Sequence, residues 1–545
     1  MIVHKFGGTS VGSPDRFASV ADIILTHHGS PATETGKVCD AAHAGLDGQG
    51  RQSAVVVVSA MSGVTDRLIA GARAAAESRD TVYRGIKADL LSQHLDVVET
   101  VLSDRVHRLE IGGFIEDRLH DLERLYRSIA VLGELTARGR DAVASFGEQL
   151  SVHILAAVLR ERGVRAQALS SSELIVTDDV FGSATPLMGP TRRRLRATIL
   201  PLTRGGVLPV VTGYIGSTEE GVTTTLGRGG SDFSAAVIGV GLDAEEVWIW
   251  SDVDGILTAD PNIVPQAATL TELSYAEAAD LAYVGAEVLH PKTIQPLVQR
   301  SIPLRIVNSF NPTHHGTVIV ESPSAQRQVL PAIISTTGLG MIAVGSRDDS
   351  WTLQMAARVL RRLSEGGLEV LMLSQSLSEH SLNLIVREKD QEHCLRILRG
   401  EFKDGIGPSA SVGEPARPAG LEQEGTRRFR IGLKEKVATV SVVGLPGWQG
   451  QRNGMVSRAF AALGQHQTRI IAVAQTASEH SVSFCIPEEH LPPAVRFLHR
   501  ELGLEDDTEG TDGINHRPRA ADPTRSAGRR GTGPTGSKTC PSPQC

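Results

Sequence analysis

Ile2-Val3-His4-Lys5-Phe6-Gly7-Gly8-Thr9-Ser10-Val11-Gly12-Ser13-Pro14 is the stretch from which the fold can be read. Ile2–Phe6 predicts a short buried strand. Ser13 followed by Pro14 and Asp15 predicts a helix start, with Ser13 as N-cap and Pro14 at the first helical position. Gly7-Gly8-Thr9-Ser10 joins the two. A strand, a glycine-rich turn and a helix N-terminus make an anion site, because unpaired backbone N–H groups converge there. Lys5 adds a full positive charge at its edge. The spacing is neither that of a Walker A loop nor that of a dinucleotide fingerprint, yet the chemistry is that of a phosphate site.

The same alternation continues outward to about residue 320. Ala54–Ser59 (AVVVVS) reads as a strand buried on both faces, as in a parallel sheet, and Leu208–Thr212 and Val247–Ser251 are similar. Helices are expected over Asp15–Leu25, Val64–Ala76, Gly147–Glu161, Asp232–Val240 and Tyr275–Ala282. Lys87 to Thr136 has helical spacing without a strand and reads as a helical insertion, and Gly29 to Arg51 as an exposed loop. Further on, Ser374–Val386 (SQSLSEHSLNLIV) aligns without a gap on Ala474–Ile486 (AQTASEHSVSFCI). Each copy has a helix pattern before and after it, which fits a βαββα module. The expected organisation is a catalytic domain over 1–322, a first module over 330–403, a linker over 404–428, a second module over 429–506 and a disordered tail over 507–545.

Composition narrows the function classes. Across 545 residues, 55 Lys and Arg against 62 Asp and Glu give a well-mixed net charge of -7, which argues against nucleic acid as the main partner. Apolar content is that of a globular protein with an ample core. No run of about 18 apolar residues is evident, so no membrane span is expected. The five cysteines are scattered and none forms a CxxC pair, which points to a reduced, cytoplasmic protein without a metal site.

Several stretches carry candidate chemistry. In Thr224–Asp232 (TTLGRGGSD) a glycine-rich loop again meets a helix start; Arg228 can fork onto a carboxylate or phosphate, while Asp232 is either a site residue or an N-cap. Ser59–Asp66 (SAMSGVTD) follows a strand, and its hydroxyls either bind a small polar substrate or cap a helix. Glu148 either complements a helix dipole or holds an ammonium group. Trp250–Pro261 (WSDVDGILTADP) leaves a strand at its carboxyl end, where ligands bind in open α/β sheets, although Asp-Gly turns are common. His290-Pro291-Lys292 precedes another helix, where a lone His or Lys is commonly structural.

Taken together, KFGGTSVG (Lys5–Gly12), SAMSGVTD, FGEQLS (Phe146–Ser151), TLGRGGSD, WSDVDGILTADP and VLHPKT (Val288–Thr293) resemble aspartate kinases of the amino-acid kinase family. The repeat resembles their paired ACT modules. The resemblance implies an amino-acid-kinase-type α/β sandwich with a mainly parallel sheet, followed by two ACT-like modules. It implies transfer of the ATP γ-phosphate to the side-chain carboxylate of L-aspartate, with Mg2+, and feedback by lysine or threonine. Lys5 and Asp232 would be catalytic. Ser59, Thr65, Glu148 and Arg228 would hold aspartate. Gly7, Gly8, Ser10, Gly229, Ser251, Asp252 and Lys292 would face ATP. An effector pocket is expected at Asp348, Ser350, Gln375 and Ser376, where the alternative is a simple helix cap. A homodimer or higher oligomer through the modules is expected, and a fused homoserine dehydrogenase is not. Two positions depart from the family pattern, Asn262 and Glu287, both in the expected nucleotide region. The competing readings are a kinase for another amino acid or carbamate, and an amino-acid-binding regulator with an inactive kinase domain.

Overall fold

The computed structural model describes residues 1–29, 53–284, 289–324, 330–346, 352–376, 380–402, 429–443, 452–475 and 481–504. The expected loop to Arg51, the linker, the tail, Glu287, Asp348 and Ser350 lie outside these residues, as does the side chain of Ser376.

The opening strand β1 (Ile2–Phe6) is buried along its whole length, His4 and Lys5 included, and α1 (Pro14–Gly29) follows. Next come β2 (Ala54–Val58) and α2 (Val64–Ala76). The helical insertion forms α3 (Asp80–Val101) and α4 (Arg105–Leu132). Asp104 caps α4, its carboxylate accepting from the backbone N–H of Val106 at 2.7 Å. Helices α5 (Ala137–Ala144) and α6 (Phe146–Glu161) follow almost without a break. Ala137–Glu161 is long and apolar enough to cross a membrane by length and composition, which corrects the expectation that no such run exists. In the fold, 78% of its apolar window is buried inside the protein.

Strands β3 (Ala166–Leu169) and β4 (Leu208–Thr212) flank α7 (Met188–Arg204). A small hairpin, β5 (Ile215–Ser217) with β6 (Thr223–Thr225), leads into α8 (Gly230–Leu242) and β7 (Glu246–Ser251). The catalytic region ends with β8 (Glu272–Ser274), α9 (Tyr275–Val284), α10 (Pro291–Val298), β9 (Leu304–Asn308) and β10 (Thr317–Val320). One sheet has the order β3-β4-β2-β1-β7-β9-β10-β8 and is parallel except where β10 meets β9. Separate apolar clusters cover its two faces, one built with α1 to α6 and the other with α7 to α10. The carboxyl ends of β1, β2, β4 and β7 therefore open on one edge.

The repeat folds as expected in element order. The first copy is β11 (Ala332–Ser346), α11 (Leu353–Glu365), β12 (Met372–Ser376), β13 (Ser381–Arg387) and α12 (Gln391–Glu401). The second is β14 (Phe429–Val443), α13 (Arg452–Gln465), β15 (Ala472–Gln475), β16 (Ser481–Pro487) and α14 (Leu491–Glu501). Their sheets are not separate. All six strands form one antiparallel sheet, β12-β13-β11-β14-β16-β15. β11 and β14 pair from Ala332 opposite Val443 to Ser346 opposite Phe429, with register shifts between Thr336 and Leu339 and between Gly340 and Ile342. Leu339–Gly345 of β11 also pairs with β13, and Val437–Val443 of β14 with β16. Each copy thus completes its sheet with half a strand of the other.

Candidate active site

Lys5 sits near the carboxyl end of β1 with its chain almost buried. Its ammonium meets the carboxylate of Asp232, in the first turn of α8, at 2.5 Å. The N-cap of α8 is Gly229, and no side chain caps that helix. Asp232 is therefore spent on Lys5, which decides between its two readings. Gly229 has φ +69°, and a Cβ there would lie 2.8 Å from Cβ of His290. That close approach in a left-handed conformation is why glycine stands there. Gly8 is similarly constrained, since a Cβ would meet the carbonyl oxygen of Ala60 at 2.9 Å. The two glycine-rich loops are thus held against SAMSGVTD and VLHPKT.

Lys5, Gly8, Ser59, Thr65, Glu148, Arg228, Gly229 and Asp232 line one cleft of about 770 Å³. Glu148, in the first turn of α6, is buried, and its Oε2 has no hydrogen-bond partner among the described residues. Burial pushes its pKa up to about 8, although the backbone N–H groups of Ala60 and of Glu148 itself donate to the carboxylate. The Arg228 guanidinium is exposed and makes no ion pair among the described residues. The cleft therefore offers a buried carboxylate seeking a cation and a guanidinium seeking an anion.

Ser251 and Asp252 line a second cavity of about 400 Å³ with Asp260, Pro261 and Asn262. The backbone N–H of Asn262 donates to Asp260 Oδ1 at 2.9 Å, so this position closes a local turn. Ile333, Ile334 and Ser335 of β11 also line this cavity. Three expected nucleotide residues line neither cavity. Ser10 is fully buried and its hydroxyl bonds that of Ser309 at 2.8 Å, so it locks the glycine turn rather than facing solvent. The backbone N–H of Gly7 donates to the Trp250 carbonyl at 3.4 Å, extending the strand pairing. Lys292 Nζ donates to Ser183 Oγ at 2.9 Å. His290 caps α10, its Nδ1 accepting from the backbone N–H of Lys292 at 3.2 Å. Gln375 is exposed on β12.

Some residues of the site were not anticipated. Asp141, on α5, is buried and accepts from the backbone N–H of Thr225 at 2.9 Å and of Gly182 at 2.8 Å, and from the Thr225 hydroxyl at 2.9 Å. It pins the strand from which the Arg228 loop departs. Tyr214 lines the cleft with φ +65°, an uncommon conformation for a bulky side chain. Burial raises its phenol pKa. Asp66, Arg73, Arg140 and, from the repeat region, Lys389 also line the cleft. Only the pairing of polar with apolar residues along GRDAVAS hinted at Asp141, and nothing in the local sequence pointed to Lys389.

The amino acid kinase family model matches residues 1–308, and the ACT domain model matches 351–402 and 440–502. The chain is 30% identical over 505 residues to the chloroplastic aspartokinase 1 of Arabidopsis thaliana, covering 92% of this chain and 80% of that protein. Among solved structures it is similar to E. coli aspartokinase III in complex with aspartate and ADP, at a TM-score of 0.67 and 27% identity over 92% of this chain and all of the other. The same enzyme in complex with lysine and aspartate, in its T-state, matches with a TM-score of 0.67 and 27% identity, covering 92% of this chain and 99% of that one. With the matched cleft, sheet and repeat, these likenesses place the chain in the amino acid kinase family, among the aspartokinases.

Proposed function

We propose that the chain transfers the γ-phosphoryl group of ATP to the side-chain carboxylate of L-aspartate, giving 4-phospho-L-aspartate and ADP. The observation that carries this reading is the pairing of unmet charges in one cleft. Buried Glu148 lacks a partner on Oε2, and Arg228 makes no ion pair among the described residues. A zwitterion with an extra carboxylate satisfies both, its ammonium on Glu148 and one carboxylate on Arg228. Ser59 and Thr65 supply hydroxyls at the same cleft. The second carboxylate is then left to approach the phosphoryl group.

That nucleophile is ionised at neutral pH, so no general base is needed. Catalysis reduces to aligning two anions and neutralising charge. Two such oxygens at about 4 Å repel by roughly 4 kcal/mol at an effective dielectric of 20. Lys5 offsets this, and Asp232 fixes its ammonium at 2.5 Å. The nucleotide is assigned to the cavity at Ser251 and Asp252. Magnesium enters with it: among the described residues no group of three or more His, Cys, Asp or Glu side chains could cage the ion. The phosphates and water would supply most of its oxygens, and it would shield charge on the transferred group.

The ACT-type region supports feedback by lysine or threonine, and pairing of two copies. The exposed Leu371 and Leu373 at the edge strand β12, with Leu353 on α11, offer the apolar surface for such pairing. An acceptor panel of aspartate, glutamate, N-acetylglutamate and carbamate, assayed for ATP-dependent ADP release with and without lysine and threonine, tests the whole reading. Aspartate alone should support turnover.

A further inference from the structure

The cleft is not built by the catalytic region alone. The turn Glu388–Asp390, between β13 and α12 of the first repeat copy, brings Lys389 to its lining. A neighbouring cavity of about 580 Å³ is lined by Arg228, Gly338, Arg387, Glu388 and Lys389, so Lys389 and Arg228 border both spaces. Lys389 does not line the cavity at Ser251 and Asp252.

The two charged residues just before Lys389 already have partners. Glu388 Oε1 takes the ammonium of Lys436, on β14, at 2.9 Å. Arg387 Nε lies 3.8 Å from Glu369 Oε2. Lys389 is exposed and has no ion pair among the described residues. In the gapless alignment of the two copies, Val386 falls on Ile486, so Lys389 falls on Glu489. A cation therefore stands only in the copy whose turn meets the cleft, and an acid in the other.

We propose that Lys389 is a specificity-determining residue of the acceptor site, contributed by the regulatory half of the chain, where it joins Arg228 in holding an acceptor carboxylate. The proposal rests on the reading of this cleft as the aspartate site. Its consequence is thermodynamic. An acceptor that touches Lys389 binds best when the first repeat copy is seated over the cleft. A ligand of the repeat region that favours another seating then weakens aspartate binding, and aspartate weakens that ligand by the same factor.

Steady-state kinetics of K389M, K389E and K389R, each checked by circular dichroism and thermal melting against wild type, test the proposal. K389M is expected to raise the aspartate KM about three- to fivefold, the upper range for one solvent-accessible charge contact. K389E should raise it further, and K389R should restore it to within about twofold. The ATP KM should move by less than the aspartate KM in every variant. An aspartate KM unchanged in K389E overturns the proposal, as do equal shifts for both substrates or a failure of K389R to rescue. Those results leave the kinase assignment standing. Absence of aspartate-dependent turnover in wild type would overturn both.

Discussion

Replacing Glu148 by Gln probes the acceptor site where its electrostatics are most extreme. In the free protein burial lifts this carboxyl from 4.5 to about 8, and its Oε2 has no partner among the described residues. At pH 7, with a pKa one decade higher, about nine in ten copies carry a proton. An aspartate ammonium pairs only with the ionised form. Binding at pH 7 should therefore release close to one proton, and the aspartate KM should fall up to about tenfold per pH unit from 6 to 8, then level off. In E148Q the release should vanish and the KM should lose that slope. At pH 8 the variant should bind aspartate about 30- to 150-fold more weakly, the loss of a buried charge-assisted pair of roughly 2–3 kcal/mol. Calorimetry in two buffers of different ionisation enthalpy measures the proton directly.

The same group gives a stability signature whose sign is fixed. Its folded pKa lies above its unfolded one, so its contribution to stability is fully present below about pH 4.5 and is lost as pH rises to about 8. At about 1.4 kcal/mol per decade the span is on the order of 4–5 kcal/mol. Denaturation of ligand-free wild type should show that decline relative to E148Q. No proton release by wild type, together with an E148Q KM within about threefold of it, would refute the placement of the ammonium on Glu148.

Lys5→Ala should lower kcat by at least about a thousandfold, since it removes the cation beside the phosphoryl group, while leaving the melting temperature within a few degrees; near-normal turnover would contradict that role. Arg228→Lys should raise the aspartate KM more than the ATP KM, because a point charge does not replace a forked donor, and equal shifts would argue against the assignment. Asp141→Ala strands the N–H groups of Thr225 and Gly182 and should destabilise the protein by about 2–5 kcal/mol in urea titration. Thr258→Val should weaken ATP binding or alter effector response, because the Thr258 hydroxyl joins the loop proposed to hold the nucleotide to His499 of α14 at 3.1 Å; a variant normal in both would exclude that joint as a coupling element.

What could be read from the sequence depended on whether the cause was local. Ala54–Val58 is apolar on both faces, so its burial in a parallel sheet follows from its own residues; Ile2–Phe6 is buried too, but its His4 and Lys5 are accommodated by Trp250 and Asp232, which lie far away in sequence. Gly229 and the His290–Pro291 helix start follow from turn and cap chemistry. Asp232 stayed open between cap and site because the answer is Lys5, 227 positions away in sequence and 2.5 Å away in space. The direction of the Ser10 hydroxyl was hidden for a related reason: a hydroxyl in a glycine turn can face outward or inward, and here it bonds Ser309, 299 positions away. The shared strands β11 and β14 were hidden because register between distant strands is a tertiary property. Lys389 was hidden because only the seating of one region on another brings it to the cleft.

If the chain works as proposed, the side-chain carboxylate of aspartate is the phosphoryl acceptor. Hydroxylamine trapping of the product formed from ATP, magnesium and aspartate reads this directly, with mass-spectrometric assignment of the hydroxamate. ATP-dependent formation of the side-chain (β) hydroxamate is expected, and its loss in Lys5→Ala. Hydroxamate on the α-carboxyl, or ATP hydrolysis with no trapped acyl phosphate, would contradict the proposal.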